Sequence, residues 1–179
     1  MDKNTTLHLK KIDTVKNKPF KNLQQFYEFE FSLITKTNTD KQGQYDPYAL
    51  ESAWSKKGYD IYLLYTHKLP VGFAVVNLSS MSSNDTSVKD IAEFFVMPLY
   101  RKKHYGKWMA FEIFKKYPGK WEVRELAQAT TARSFWVNTI DEFTKGKYKE
   151  NKIFDSHWQE HVFIQQFTCL PKNMEDKTI

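Results

Sequence analysis

Apolar positions along this chain switch between two periods, and the switches mark the elements. Residues 5–12 roughly alternate, with Leu7, Leu9 and Ile12 apolar, and predict a first strand. From Phe20 the period lengthens. Leu23, Phe26, Tyr27, Glu30, Phe31 and Ile34 fall on one face of a helix. The polar run 35–48, with Gly43 and Pro47, predicts a loop, and 50–57 a short second helix stopped by Gly58. Residues 60–66 and 71–78 predict two strands, made a hairpin by the link 67–70. A Ser/Asn/Asp loop over 79–87 leads to an apolar strand over 88–97, ended by Pro98. Helical spacing returns at Gly106, Met109, Ala110, Ile113, Phe114 and Tyr117, and Pro118-Gly119 stops it. A short strand over 121–126 precedes a further helix carrying Ala132, Phe135, Trp136, Thr139, Ile140 and Phe143, closed by Gly146. Two strands, 148–154 and 161–167, complete the pattern. This order predicts one mixed α/β domain over residues 1–169, with a frayed tail over 170–179.

Composition narrows the picture. A chain of 179 residues is long enough for one domain with a real core, and 41% hydrophobic with 16% aromatic residues argues against disorder. The apolar runs are shorter than the ~20 residues a membrane helix needs, so no membrane partner is expected. The first five residues carry no apolar signal core, and the one cysteine, Cys169, has no partner for an internal disulfide. Both features lead to the expectation of a cytoplasmic protein. The formal charge is +6, from 27 basic and 21 acidic residues, which suits attraction of phosphates. The lysines are scattered rather than grouped and no nucleic-acid-binding motif is present, so a solvated basic surface is the simpler account.

The stretch 90–110 carries the chemistry: a strand passes through a basic turn into a helix. A helix start offers unpaired N–H groups and about half a positive charge. Arg101, Lys102, Lys103 and Lys107 add full charges around it, and the result suits a diphosphate.

This segment resembles the acetyl-CoA motif of the GNAT superfamily of N-acetyltransferases, Arg/Gln-x-x-Gly-x-Gly/Ala after a strand ending in Val-x-Pro-x-Tyr. Here Val96-Met97-Pro98-Leu99-Tyr100 precedes Arg101-Lys102-Lys103-His104-Tyr105-Gly106. Arg101 and Gly106 match, while His104 stands where the first glycine is usual. Histidine is among the residues enriched at positive φ, at a cost of about 1–2 kcal/mol, so the site is read as altered and usable. Val71-Gly72-Phe73 sits where the family often has a Gly-Phe pair, and Ala132 to Trp136 resembles its later motif Asn-x-x-Ala-x-x-Phe-Tyr. Ala129 takes the asparagine slot and Trp136 the tyrosine slot. In much of the family that tyrosine is proposed to protonate the leaving thiolate, a task ill suited to tryptophan. Glu-Phe-Phe-Val, Ser-Phe-Trp and the late aromatic strand also look like a subgroup of uncharacterised predicted acetyltransferases.

The resemblance implies a central twisted mixed sheet of about six to seven strands flanked by about four helices. It implies acetyl-CoA as cosubstrate, direct attack by an amine in a ternary complex, and no metal. Backbone groups of Phe95, Val96 and Met97 would hold the pantetheine arm, and those from Arg101 through Lys102, Lys103, His104, Tyr105 and Gly106 to Lys107 the diphosphate. Trp136 would flank the arm. An alkyl amine with a pKa near 10.4 needs about 4–5 kcal/mol to free its lone pair at about neutral pH, so a base is required. Glu93, a carboxylate in an apolar strand, is the first candidate. A bond to a lysine or backbone donor at the sheet surface is the equally weighted alternative. Glu30, on the apolar face of the first helix, is a candidate to attract a cationic amine or simply a rim residue; Tyr45, Tyr48 and Trp54 are candidate lining residues. His157-x-x-Glu160-His161 has a zinc-protease order, yet His161 opens a predicted strand, so no metal site is expected. The acceptor is an amine on a small molecule or a peptide, and the late strands allow a homodimer. Two alternatives stay open: a degenerate GNAT domain that binds CoA or a small ligand without turnover, and a basic nucleic-acid-binding protein.

Overall fold

The computed structural model of the chain describes residues 6–45, 58–156 and 158–171. In them the periodic stretches become seven strands and three α-helices: β1 (Leu7–Ile12), α1 (Lys18–Thr35), β2 (Tyr59–Thr66), β3 (Leu69–Asn77), β4 (Val88–Val96), α2 (Tyr105–Lys116), β5 (Gly119–Leu126), α3 (Thr130–Thr144), β6 (Tyr148–Asp155) and β7 (Glu160–Cys169). A single 3-10 turn, Pro98–Tyr100, joins β4 to the start of α2. The short helix expected over 50–57, with Tyr48 and Trp54, lies outside the described residues, as does most of the expected tail.

The strands make one sheet in the order β1-β2-β3-β4-β5-β7-β6. It is mixed: β4 and β5 run parallel, while β1 with β2, β5 with β7 and β6 with β7 are antiparallel. The chain divides into two compact units, residues 1–76 with 93–106 and residues 77–92 with 107–179.

In the first unit α1 begins where Asn17 accepts a hydrogen bond from the Phe20 N–H at 3.2 Å, the usual service of an asparagine cap, with a proline in the first turn. It ends at Lys36 in the left-handed region, whose N–H bonds back to Ser32. The helix buries Phe20, Leu23 and Gln24, and Phe20 meets Phe73 of β3 edge-on at 5.1 Å. The buried stripe is thus turned from the face expected from spacing, which included Phe26; that ring is 51% exposed. β3 is buried at every position from Val71 to Asn77, so both its faces are covered and its apolar run needs no alternation.

In the second unit α2 buries Met109, Ala110, Ile113 and Phe114 completely, the stripe that its spacing predicts. Phe114 packs edge-on against Trp121, Phe143 and Phe167 at 5.0–5.2 Å. Burying such a ring is worth about 1.5–3 kcal/mol. α3 buries Trp136, Thr139 and Ile140 and starts at Ala129, which offers no capping side chain.

Candidate functional site

The end of β4 is shaped by a missing side chain. A Cβ on Gly72 would lie 2.4 Å from the Phe95 carbonyl oxygen, so only glycine lets β3 approach β4 this closely. Just beyond, the Met97 N–H donates to the Val71 carbonyl at 2.8 Å. Arg101 then folds back: its Nε donates to the Val96 carbonyl at 2.7 Å, and its guanidinium lies 5.5 Å from the centre of the Phe95 ring. The same guanidinium reaches Glu30 on α1, with Nη2 at 2.9 and 2.7 Å from the two carboxylate oxygens. Phe95, Val96, Met97, Arg101 and Glu30, singled out from sequence, are therefore brought together. Their expected roles change in one respect: the Met97 N–H, the Val96 carbonyl, the Arg101 side chain and Glu30 are already engaged within the fold.

Glu93 is half-buried on β4 and accepts a hydrogen bond at Oε2 from the Tyr27 hydroxyl of α1. Tyr27 is fixed by rings: Phe31 stacks on it at 5.6 Å, and Phe73 and Phe95 meet it edge-on at 5.7 and 6.1 Å. Burial first, then the charge and hydrogen bond of Glu93, push the Tyr27 hydroxyl well above the usual phenol range. Burial also raises Glu28. Sequence reasoning singles out Glu93 and passes over Tyr27, which spacing assigns only to a helix face.

The turn after β4 is tightly wound. Lys102 and His104 both take positive φ, 57° and 65°, before α2 begins at Tyr105. His104 thus adopts the left-handed conformation that a glycine would take without penalty, at a cost of about 1–2 kcal/mol. Arg101, Lys102, Lys103 and His104 are exposed, Tyr105 is buried against Tyr100 at 5.6 Å, and Gly106 is half-buried. Left-handed residues ahead of a helix start turn successive N–H groups toward one side, and two lysines flank them. These donors suit a diphosphate.

Lys107 and Trp136 lie in the second unit. Lys107 Nζ is bound to Glu142 at 3.0 and 2.8 Å. Trp136 is 5% exposed and packs on Phe114 and Phe135, a core position. Tyr45, in the first unit, is tied to α1 through Gln25 and Ser32. His161 stands in β7 rather than on a helix, and His157 lies outside the described residues.

The second unit also holds ionic groups that sequence reasoning does not single out. Arg124 binds Asp90 at 3.0 Å and Asp155 at 2.9 Å, with Glu122 at 4.0 Å. Glu122 in turn takes hydrogen bonds from Ser80 and Ser82 of the loop before β4. Asp90 is fully buried; burial pushes its carboxyl up to about 7, Glu122 adds to the rise, and Arg124 opposes it. On β5, burial pushes Glu125 up to about 7 as well, against a hydrogen bond from Gln165, which also donates to Glu150. The signal in the sequence is a charged residue inside an apolar strand. No group of side chains able to hold a metal is found among the described residues.

At the sequence level no family model and no curated protein matches the chain. Solved structures do. An acetyltransferase from Thermus thermophilus superposes with a TM-score of 0.65 at 11% identity, over 91% of this chain and 97% of that one. The ribosomal-protein-S18-alanine N-acetyltransferase from Escherichia coli gives 0.60 at 10% identity, over 92% and 95%. A protein of Desulfovibrio desulfuricans assigned to the GNAT family gives 0.59 at 8% identity, over 92% and 99%. The seven-stranded mixed sheet and its helices have the GNAT acetyltransferase fold.

Proposed function

We propose that the chain is an acetyl-CoA-dependent N-acetyltransferase acting on an amine of a small molecule or peptide. The observation that carries this is the turn from β4 into α2, where His104 keeps the left-handed backbone of the phosphate-binding motif without the usual glycine. The shared fold supports it. The backbone from Arg101 to Gly106, with Lys102 and Lys103, holds the diphosphate, and Phe95 and the Val96 N–H supply backbone groups for the arm; Met97, whose N–H is bonded to Val71 and whose carbonyl accepts from Tyr100, supplies none. When bound, acetyl-CoA supplies the acetyl group as a thioester open to attack by an amine. Glu93 takes the proton that the amine must lose, directly or through water. Arg101 acts as a brace, joining the turn to the Val96 carbonyl and to Glu30. Lys107 and Trp136 are committed to Glu142 and to the core, so this proposal gives them no role.

A second proposal, a GNAT domain that binds CoA without turnover, is favoured by the buried Trp136 in the tyrosine slot and by Ala129 at the helix cap. Both predict cofactor binding. Thermal unfolding with acetyl-CoA, CoA and ATP comes first: a ligand at 100 times its Kd stabilises the fold by about 2.7 kcal/mol. A rise with acetyl-CoA and CoA but not ATP supports both proposals, and turnover with a panel of amines then separates them. No rise at millimolar acetyl-CoA sinks both. Steeply salt-dependent protection by nucleic acid alone would favour a basic nucleic-acid-binding protein instead.

A further inference from the structure

Two polar contacts one helical turn apart tie α1 to the end of β4 and its turn: Tyr27 to Glu93, and Glu30 to Arg101. They differ in kind. The second joins two full charges that are each at least a third exposed. The first joins a carboxyl to a neutral phenol among aromatic rings. From that difference we infer that Tyr27 is a positioning residue for Glu93, holding its carboxyl in one orientation and favouring the ionised form that accepts a proton from the amine. The inference rests on the acetyltransferase reading and adds a residue to its site.

The chemistry follows from the surroundings. A carboxylate next to aromatic rings loses hydration and needs a donor to stay ionised. An arginine or lysine would supply one, but its charge would repel an incoming ammonium and weaken the base further. A phenol stabilises the carboxylate without adding a positive charge of its own. It serves only while it keeps its proton, and burial among Phe31, Phe73 and Phe95 holds that proton well above the ordinary phenol range. Glu28 on α1 acts in the same direction on Tyr27, and Arg101 of the turn lies over Phe95. Arg101 is bound to Glu30 and the Val96 carbonyl, and β3 contributes the apolar Phe73 to the Tyr27 ring.

The test is a carboxyl titration by NMR on the full chain labelled with 13C at glutamate Cδ. The Glu93→Gln variant identifies the resonance. In Tyr27→Phe, which keeps the ring and removes the donor, the Glu93 midpoint should rise by about one unit. With 3-fluorotyrosine at position 27, a stronger donor that leaves the fold intact, the midpoint should fall. The melting-temperature rise with acetyl-CoA should be the same in all three proteins that keep Glu93. A Glu93 midpoint indifferent to both changes would make Tyr27 a packing residue and overturn the inference while leaving the enzyme reading standing. A wild-type protein that ignores acetyl-CoA would overturn both, so the two failures look different.

Discussion

Strand β4 carries two carboxylates three residues apart, and their settings contrast. Asp90 is fully buried in the second unit, where one guanidinium serves Asp90 and Asp155 and lies within reach of Glu122. Glu93 is half-buried in the first unit and accepts from a neutral hydroxyl. A buried carboxyl needs a counter-charge, a proton or a neutral donor. The counter-charge commits the carboxylate to the fold, and burial, with a smaller push from Glu122, outweighs Arg124 and leaves Asp90 holding its proton up to about 7. A neutral donor steadies a carboxylate without cancelling its charge. Position in an apolar strand therefore does not by itself say how a carboxylate is held, since Asp90 and Glu93 share β4 and have different partners.

The contrast can be broken in four places. The largest effect is expected at Glu93→Gln: turnover with any accepted amine should fall by about 10²–10⁴-fold with the acetyl-CoA melting shift retained, and near-normal turnover would move the base elsewhere. Next is Arg124→Met, which strands three acids beside an apolar side chain. Urea unfolding at about pH 8 should show a loss of about 3–5 kcal/mol, and a loss below 1 kcal/mol would mean that the acids are protonated or hydrated already. Asp90→Asn probes the same cluster through pH. Its folded-state titration lies above the ordinary 3.8, so the folded chain holds the proton longer than the unfolded chain; that stabilisation is complete below 3.8 and is lost as pH rises through about 7. Replacing Asp90 should shrink the difference in unfolding free energy between about pH 5 and about pH 8 by roughly 3 kcal/mol, with Glu125 supplying a remaining slope of the same sign. The smallest effect belongs to Glu30→Gln. The pair with Arg101 is a surface one, so the cost should be at most about 1 kcal/mol and should vanish in high salt.

Sequence alone places the described strands and helices well, because period-2 and period-3.6 burial are local properties. α2 shows this most clearly, with Met109, Ala110, Ile113 and Phe114 all fully buried. Local pattern fails where a distant partner decides. Spacing groups Phe26 with Tyr27 on the buried face of α1, but the helix meets Phe73 through Phe20 and Tyr27 and leaves Phe26 51% exposed. The motif marks Arg101 as a phosphate ligand, and its side chain is committed to Glu30 and Val96. Glu93 stands out in its strand as an acid among apolar residues, while its donor lies 66 residues away on α1. Asp90 draws no notice in the same strand because its counter-ion belongs to β5. The left-handed backbone at His104 is legible, since the motif's glycine position carries that requirement whichever residue fills it.

The order of strands in the sheet has a consequence for synthesis. β7 sits between β5 and β6 although it follows both in the chain. While a ribosome is making α3 and β6, one edge of β5 has no neighbour to bond to, and Trp121 waits for the Phe167 ring that will lie parallel to it. Nascent chains of this protein therefore pass through a stage with an open, aromatic-bearing edge, and that is the stage at which chaperone capture or clumping is most expected.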